Sequence, residues 1–361
     1  MRLEDICTVF TDGDWIESKD QSDSGIRLVQ TGNIGEGTYL EKEARAKYIS
    51  EETFDKLKCT EVFSGDILVS RLPEPVGRAC IVPEKAERMI TAVDCTICRP
   101  NESLISKEYL CYFMRSNAYY TRLHGNVTGT TRKRISRKNL GNVELRVPAK
   151  DEQKAVVEQL DCLVEVIDSR TKELQLLDDL IKARFVEMFG DSGYPVYKWN
   201  EVFNTTTGKL DSNAAVEDGE YPFFTCSKDI LRIDRYAFNQ EALLLAGNNA
   251  AGKYDVKYYN GKFNAYQRTY VLSLKENGSY QVFKYQLEDK LVYLQQQSLG
   301  GLTKYLTMKI LGELEFIIPP MKKQIEFEEF VEQVDKSKVA VQKALDETQT
   351  LFDSLMQEYF G

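Results

Sequence analysis

The feature that most restricts this chain is that it repeats itself. Residues 129–190 align with residues 300–361 without a gap, at a constant offset of 171, with 15 identities over 62 positions. The identities include Leu140/Leu311, Gly141/Gly312, Pro148/Pro319, Gln153/Gln324, Phe189/Phe360 and Gly190/Gly361. They also preserve one order of events. A Gly-containing loop and a basic residue lead into a short apolar strand (LGNVELRVP at 140–148, LGELEFIIP at 311–319), a proline, and a long polar-apolar segment ending in Phe-Gly. A fold for this sequence must therefore build one plan twice, as variable region, helix, variable region, helix. At 361 residues two domains are expected. The boundaries read as 1–148, 149–190, 191–319 and 320–361.

Both repeated segments carry heptads. In the first, Val156, Leu160, Leu163, Ile167, Arg170, Leu174, Leu177, Ile181, Arg184 and Met188 alternate steps of four and three. The second has Phe327, Val331, Val334, Lys338, Val341, Leu345, Thr348, Phe352, Leu355 and Tyr359. No Gly or Pro interrupts either run, which favours a coiled coil over two long helices packed on separate cores. About 40 helical residues span roughly 60 Å. The expected fold class is α+β: two globular domains related by a pseudo-twofold axis and separated by two long antiparallel coiled-coil helices. The variable regions read as β-rich, with strand, loop, Gly-basic and strand in both GDILVSRLPEPVGRACIV (65–82) and EALLLAGNNAAGKYDVKYY (241–259). The tyrosines and phenylalanine clustered at 254–270 read mostly as core or sheet-face residues.

With 42% hydrophobic and 29% charged residues, the composition excludes a disordered chain. No apolar run approaches the length of a membrane span, and MRLEDICTVF has no signal-peptide core, so a cytoplasmic protein is expected. Eight irregularly spaced cysteines fit reduced thiols. The net charge of −9 argues at first against a nucleic-acid partner. Its distribution reverses that inference. Residues 1–150 carry a net +1 and residues 191–320 a net −1, whereas 151–190 and 321–361 carry −5 and −4. The acidity belongs to the helices. Between Glu108 and Glu144 there is no acidic residue but seven Lys or Arg, and between Asp289 and Glu313 there are Lys290, Lys304 and Lys309 and again no acid. TGTTRKRISRK at 128–138 puts hydroxyls and guanidinium groups on a Gly-containing loop, which suits phosphate oxygens and guanine edges. A merely solvated basic loop is the alternative, and recurrence in the second copy weighs against it.

Catalytic constellations do not emerge. His124 is the sole histidine, so no triad base and no His-based metal cluster is available. Cys95 and Cys98 form a lone CxxC inside a strand-like run and read as core thiols. Gly247 to Lys253 (GNNAAGK) matches GxxxxGK. However, Tyr254 takes the hydroxyl position, and the following DVKYY reads as strand where a P-loop needs a helix. Its counterpart in the first copy, LPEPVGR at 72–78, keeps only the Gly-basic end. Asn248, Asn249 and Lys253 instead offer adenine-reading amides and a phosphate-seeking cation. A nucleotide-binding protein using 247–253 and a coiled-coil scaffold without DNA contact stay as alternatives.

These features together resemble the specificity subunit of Type I restriction-modification systems, over essentially the whole chain. The carriers are the duplication, the openings LEDI (3–6) and WNEV (199–202), GDILVSR (65–71), and the passage from TGTTRKRIS through strand and proline into RVPAKDEQKAVVEQL and IIPPMKKQIEFEEF. The family's Pro-x-x-x-Glu-Gln stands as Pro148 with Glu152-Gln153 and departs to Lys323-Gln324 in the second copy. The resemblance implies a non-catalytic subunit with two target-recognition domains, each reading half of a bipartite double-stranded DNA sequence while the helices set the spacing. It implies two modification subunits that bind S-adenosylmethionine and methylate adenine N6, and restriction subunits with translocase and nuclease activity. No cofactor is expected in this chain and no membrane partner. Candidate DNA contacts are Thr31, Asn33, Arg71, Arg78, Arg132, Lys133, Arg134 and Lys138 in the first domain. In the second they are Lys228, Asn248, Asn249, Lys253, Arg268 and Lys304.

Overall fold

A computed structural model describes residues 1–129, 133–190, 193–249, 252–301 and 303–361. The chain is α+β and divides into two units, Met1–Arg170 with Ala344–Gly361, and Thr171–Lys343.

In the first unit, strands Cys7–Asp12, Cys95–Pro100, Ile67–Ser70 and Ala79–Ile81 form an antiparallel sheet in that spatial order. A second sheet runs Tyr48–Ile49, Ile26–Val29, Met89–Thr91, Glu61–Val62, with Ile26–Val29 parallel to Met89–Thr91. Strand Ile67–Ser70 is buried at every residue, as expected of an uninterrupted apolar run at the centre of a sheet. In the second unit, one six-stranded sheet runs Phe203–Thr207, Thr269–Leu274, Phe238–Ala246, Val256–Ala265, Tyr221–Phe224, Leu231–Ile233. Its single parallel pairing, Tyr221–Phe224 with Val256–Ala265, matches the parallel pairing of the first unit. The aromatic cluster divides: Tyr254 and Phe263 are buried, while Tyr258, Tyr259, Tyr266 and Tyr270 lie half-buried on the sheet.

The repeat is visible in the anchoring bonds. Each unit contains a short helical turn, Leu3–Ile6 or Trp199–Val202, tied to equivalent residues of the repeat. Leu3 N–H donates to Val143 O (2.8 Å) and Trp199 N–H to Leu314 O (3.1 Å), and 143 and 314 differ by the repeat offset. Two five-residue helices, Arg137–Gly141 and Met308–Gly312, follow the Gly-basic loops. Ser136 and Thr307, again one offset apart, cap them by accepting the N–H of Asn139 and Ile310.

The two heptad segments are single helices, Lys150–Phe189 and Met321–Phe360. Every heptad position named above is buried or half-buried. Within the first unit the helix segments lie antiparallel: the Tyr359 hydroxyl bonds to Gln159 Oε1, and Val156, Leu160, Phe352, Met356 and Phe360 share one core with Tyr109 and Phe113 of the globular part. Within the second unit, Lys338 pairs with Asp178 (2.6 Å) and Arg184 with Glu326 (2.9 Å), again an antiparallel order. The helices therefore pack on each other and into the core of each unit at once.

The start of each long helix is latched by a buried glutamine. Gln153, 0% exposed, accepts the Ser106 N–H (2.8 Å) and donates to Leu104 O (2.8 Å) and Pro148 O (2.9 Å). Gln324, 2% exposed, accepts the Ser279 N–H (2.8 Å) and donates to Pro319 O (2.7 Å). A buried amide satisfies backbone groups on both sides of the joint, which an apolar residue could not do. Departure from Glu152 to Lys323 is harmless because both precede the latch on exposed helix surface.

Candidate nucleic-acid interface

Strand register brings the two units into exact correspondence at their loop ends. Ile135 N–H donates to Arg71 O, and Leu306 N–H to Gly247 O. Ser70 N–H donates to Arg78 O and Ala246 N–H to Asp255 O. Ser70 pairs with Cys95 and Ala246 with Thr269. The register therefore equates Arg71 with Gly247, Asp94 with Arg268, and, through the pairings Asp12 with Thr96 and Thr207 with Tyr270, Asp12 with Thr207. It also equates Arg78 with Asp255. The alignment of LPEPVGR on GNNAAGK is corrected accordingly, because the loop of the second unit is one residue longer and the two Gly-basic pairs do not coincide.

In the first unit several candidate contacts turn inward. Arg78 is 9% exposed, and its guanidinium donates to Ile34 O (2.7 Å), Thr31 O (2.8 Å), Leu72 O (2.9 Å) and Pro75 O (3.2 Å). Asn33 is buried, with its amide on Leu40 O and its oxygen accepting the Gln30 N–H. Arg71 is 4% exposed; it donates to Val93 O and Ile135 O and lies 3.3 Å from Asp12. Burial disfavours the charged guanidinium of Arg71, and Asp12 partly offsets that. Asn33, Arg71 and Arg78 are thus corrected from DNA contacts to ties between loops, since their side chains are buried and bond to backbone groups inside the fold. Thr31 is half-buried, its carbonyl holding Arg78.

On either side of the basic loop, Val127–Thr128 pairs with Arg134–Ile135, with Thr128 and Arg134 exposed and Ile135 buried. Arg132, with Thr130 and Thr131, lies outside the described residues. Lys133 and Lys138 are exposed, whereas Arg134 is held by Asp94 (3.1 Å) and Arg137 approaches Asp12 (3.9 Å). Partly neutralised Arg134 and Arg137 thus meet at the ends of strands Ile67–Ser70 and Cys95–Pro100, with exposed Lys133 and Lys138 each one residue away in the chain.

The second unit assembles its candidates more completely. Asn248–Asn249 pairs with Lys304–Tyr305, putting Asn249 opposite Lys304 and Asn248 opposite Tyr305. Gly247 N–H donates to Arg268 O (2.8 Å), an approach so close that a Cβ at Gly247 would stand 2.3 Å from that oxygen. Cys226 Sγ reaches the same oxygen, which brings the Cys226–Lys228 loop alongside. Lys253 N–H donates to Asn249 Oδ1 (3.3 Å). Lys228, Lys253 and Arg268 are exposed and Lys304 is half-buried. Sequence reasoning missed Tyr305, 40% exposed and central to this cluster; at the offset of 171 it replaces Arg134.

The chain after Gly252-Lys253 enters strand Val256–Ala265, not a helix, so no helix N-terminus receives phosphates there and nucleotide binding by a P-loop is removed. Ala250 and Ala251 lie outside the described residues. Cys95 and Cys98 are buried free thiols in a strand, and burial pushes Cys95 up to about 12. Among the described residues no group of His, Cys, Asp or Glu could hold a metal ion, and no helix is long and apolar enough to cross a membrane.

Two sheet-and-loop domains, each joined to a latched long helix, define a duplicated recognition protein. The family of Type I restriction modification DNA specificity domains matches residues 1–178 and again 191–348, and the chain belongs to that family. Specificity subunits of this family are non-catalytic and supply DNA sequence recognition. The chain is 56% identical over 72 residues to the Type I restriction enzyme EcoDI specificity subunit of Escherichia coli, a match spanning 20% of this chain and 16% of that relative. It resembles the crystal structure of a Type I restriction-modification S subunit from M. genitalium, with a TM-score of 0.60 at 15% identity over 100% of this chain and 95% of that one. A chain from a structural study of complex assembly and conformational transition in the Type I system gives 0.57 at 17% identity, covering 100% and 96%. At those identities the likeness is one of fold.

Proposed function

We propose that each unit reads one half of a bipartite double-stranded DNA sequence. The carrying observation is that corresponding strand ends in both units gather polar and cationic groups, Arg134 and Arg137 in the first and Asn248, Asn249, Arg268 and Lys304 in the second, although the residues differ. Lys133, Lys138 and Arg134, with Arg132, serve the first half; Lys228, Asn248, Asn249, Lys253, Arg268 and Lys304 serve the second. Lysines and Arg268 contact phosphates and set position, whereas amides and the arginines of the first unit read base edges. Joining two modest contacts in one chain makes the second binding step intramolecular, which multiplies the two affinities.

In this reading the long helices set the separation of the half-sites, and their acidic outer faces turn from DNA toward two modification subunits. Those subunits bind S-adenosylmethionine and methylate adenine N6, and restriction subunits with translocase and nuclease activity complete the assembly. The chain itself uses no cofactor and works in the cytoplasm. The test is to exchange residues 191–319 for those of a relative and to map methyladenine in DNA from cells expressing the chimaera with its modification subunit. One half of the methylated sequence should change. A change in both halves, or in neither, would end the modular reading.

A further inference from the structure

Resting on that reading, we propose that Asn248 and Tyr305 together read one A·T base pair in the half-site of the second unit, the amide taking the adenine edge and the ring taking the thymine methyl. The two residues are cross-strand partners, so their side chains share one face while Asn249 and Lys304 share the other. The asparagines divide their work: Asn249 Oδ1 accepts the Lys253 N–H and closes the loop, whereas the Asn248 side chain makes no hydrogen bond among the described residues. Tyr305 is fixed without being covered. Its N–H donates to Leu299 O (2.9 Å), its carbonyl accepts the Leu299 N–H (3.1 Å), and its ring rests on Gly300, where a Cβ would come within 3.1 Å of two ring carbons. Gly300 has φ +102°, so the turn needs glycine on two counts. The ring is nevertheless 40% exposed, and its hydroxyl makes no hydrogen bond among the described residues.

A rigid aromatic beside an unused amide is complementary to the major-groove edge of A·T. That edge presents adenine N7 and N6–H₂ to an amide and the thymine C5-methyl to an apolar surface. The register-equivalent site in the first unit is Arg134 held by Asp94, which cannot make this pair of contacts.

The test uses the chain in complex with its modification subunits and duplexes carrying the mapped target. Thymines of the second half-site are replaced singly by uracil, which lacks the methyl group. One position should weaken wild-type binding about fourfold, the worth of one buried methyl. Tyr305→Ala should lose the same factor and become indifferent to uracil there, Tyr305→Phe should behave as wild type, and Asn248→Ala should relax selection for adenine in that same pair. Arg268→Ala is the control, expected to weaken all sequences alike. If Arg268→Ala leaves binding unchanged, the interface reading itself fails. If it weakens binding while Tyr305→Ala keeps full sensitivity to every uracil, the Asn248–Tyr305 assignment alone fails. Loss in Tyr305→Phe equal to that in Tyr305→Ala would place the contact on the hydroxyl and overturn the methyl assignment.

Discussion

At the strand ends of the first unit, Asp12, Arg71, Asp94, Arg134 and Arg137 lean on one another, through contacts of 3.3 Å, 3.1 Å and 3.9 Å. The second unit has Thr207, Gly247, Arg268, Tyr305 and Met308 at the corresponding positions, so no residue keeps its charge. The frame beneath is the same in both: capped short helix, anchored opening turn, glutamine latch. One scaffold thus supports two different electrostatic surfaces. In the first unit much of the basic character is internal, and Lys133 and Lys138 carry the outward charge. In the second, Lys228, Lys253 and Arg268 face outward.

The largest expected effect tests whether that network is structural. Arg71→Ala removes a buried guanidinium and strands two carbonyls and Asp12, which should destabilise the first unit by about 2–3 kcal/mol. In thermal unfolding its transition should fall by roughly 5–10 °C, with the second unit unmoved; an unchanged melt would break the contrast. Next are the latches. Gln153→Ala loses three hydrogen bonds and Gln324→Ala two, so losses of about 2 kcal/mol or more are expected in each unit, larger for Gln153. Equal or reversed losses would mean that the shared frame is not held in the same way. Smaller again, Arg268→Ala should leave the melt alone but weaken DNA binding about three- to tenfold and lower the salt slope by about one. Arg134→Ala should do less, because Asp94 already neutralises its partner. Binding isotherms at several salt concentrations decide this. Finally, thiol titration of the folded chain should label exposed Cys162 first and half-buried Cys226 and Cys7 more slowly. Cys80, Cys95, Cys98 and Cys111 should react only on unfolding, because burial shields each thiol from reagent and raises it above its ordinary value.

The frame was legible because it depends on spacing. Heptads, a Leu-Gly pair and a proline before Gln153 or Gln324 leave periodic or positional marks that one chain can show against its own copy. The surface was less so. Arg78 beside Gly77 looks the same in sequence whether its guanidinium turns to solvent or, as here, closes on four carbonyls. The extra residue between Gly247 and Asp255, relative to the stretch from Arg71 to Arg78, is silent until strand pairing counts it. Tyr305 escaped notice because a tyrosine in a short strand is ordinarily covered, and only the Gly300 turn beneath it explains why this one is not. The offset of 171 was the available clue: it sets Tyr305 on Arg134, an unlike residue inside an otherwise similar passage.

The charged residues on the heptad seam of the second unit bear on how the chain avoids mispairing. A seam of Val, Leu and Phe alone is nearly indifferent to sliding by one repeat, since apolar side chains accept one another at roughly 10 Å intervals. Lys338 against Asp178 and Arg184 against Glu326 remove that degeneracy. A slipped alignment would part both cations from their acids, a modest cost for partly solvated pairs but one that every slipped register bears. The seam therefore works as a vernier, its two charged marks coinciding at the observed setting.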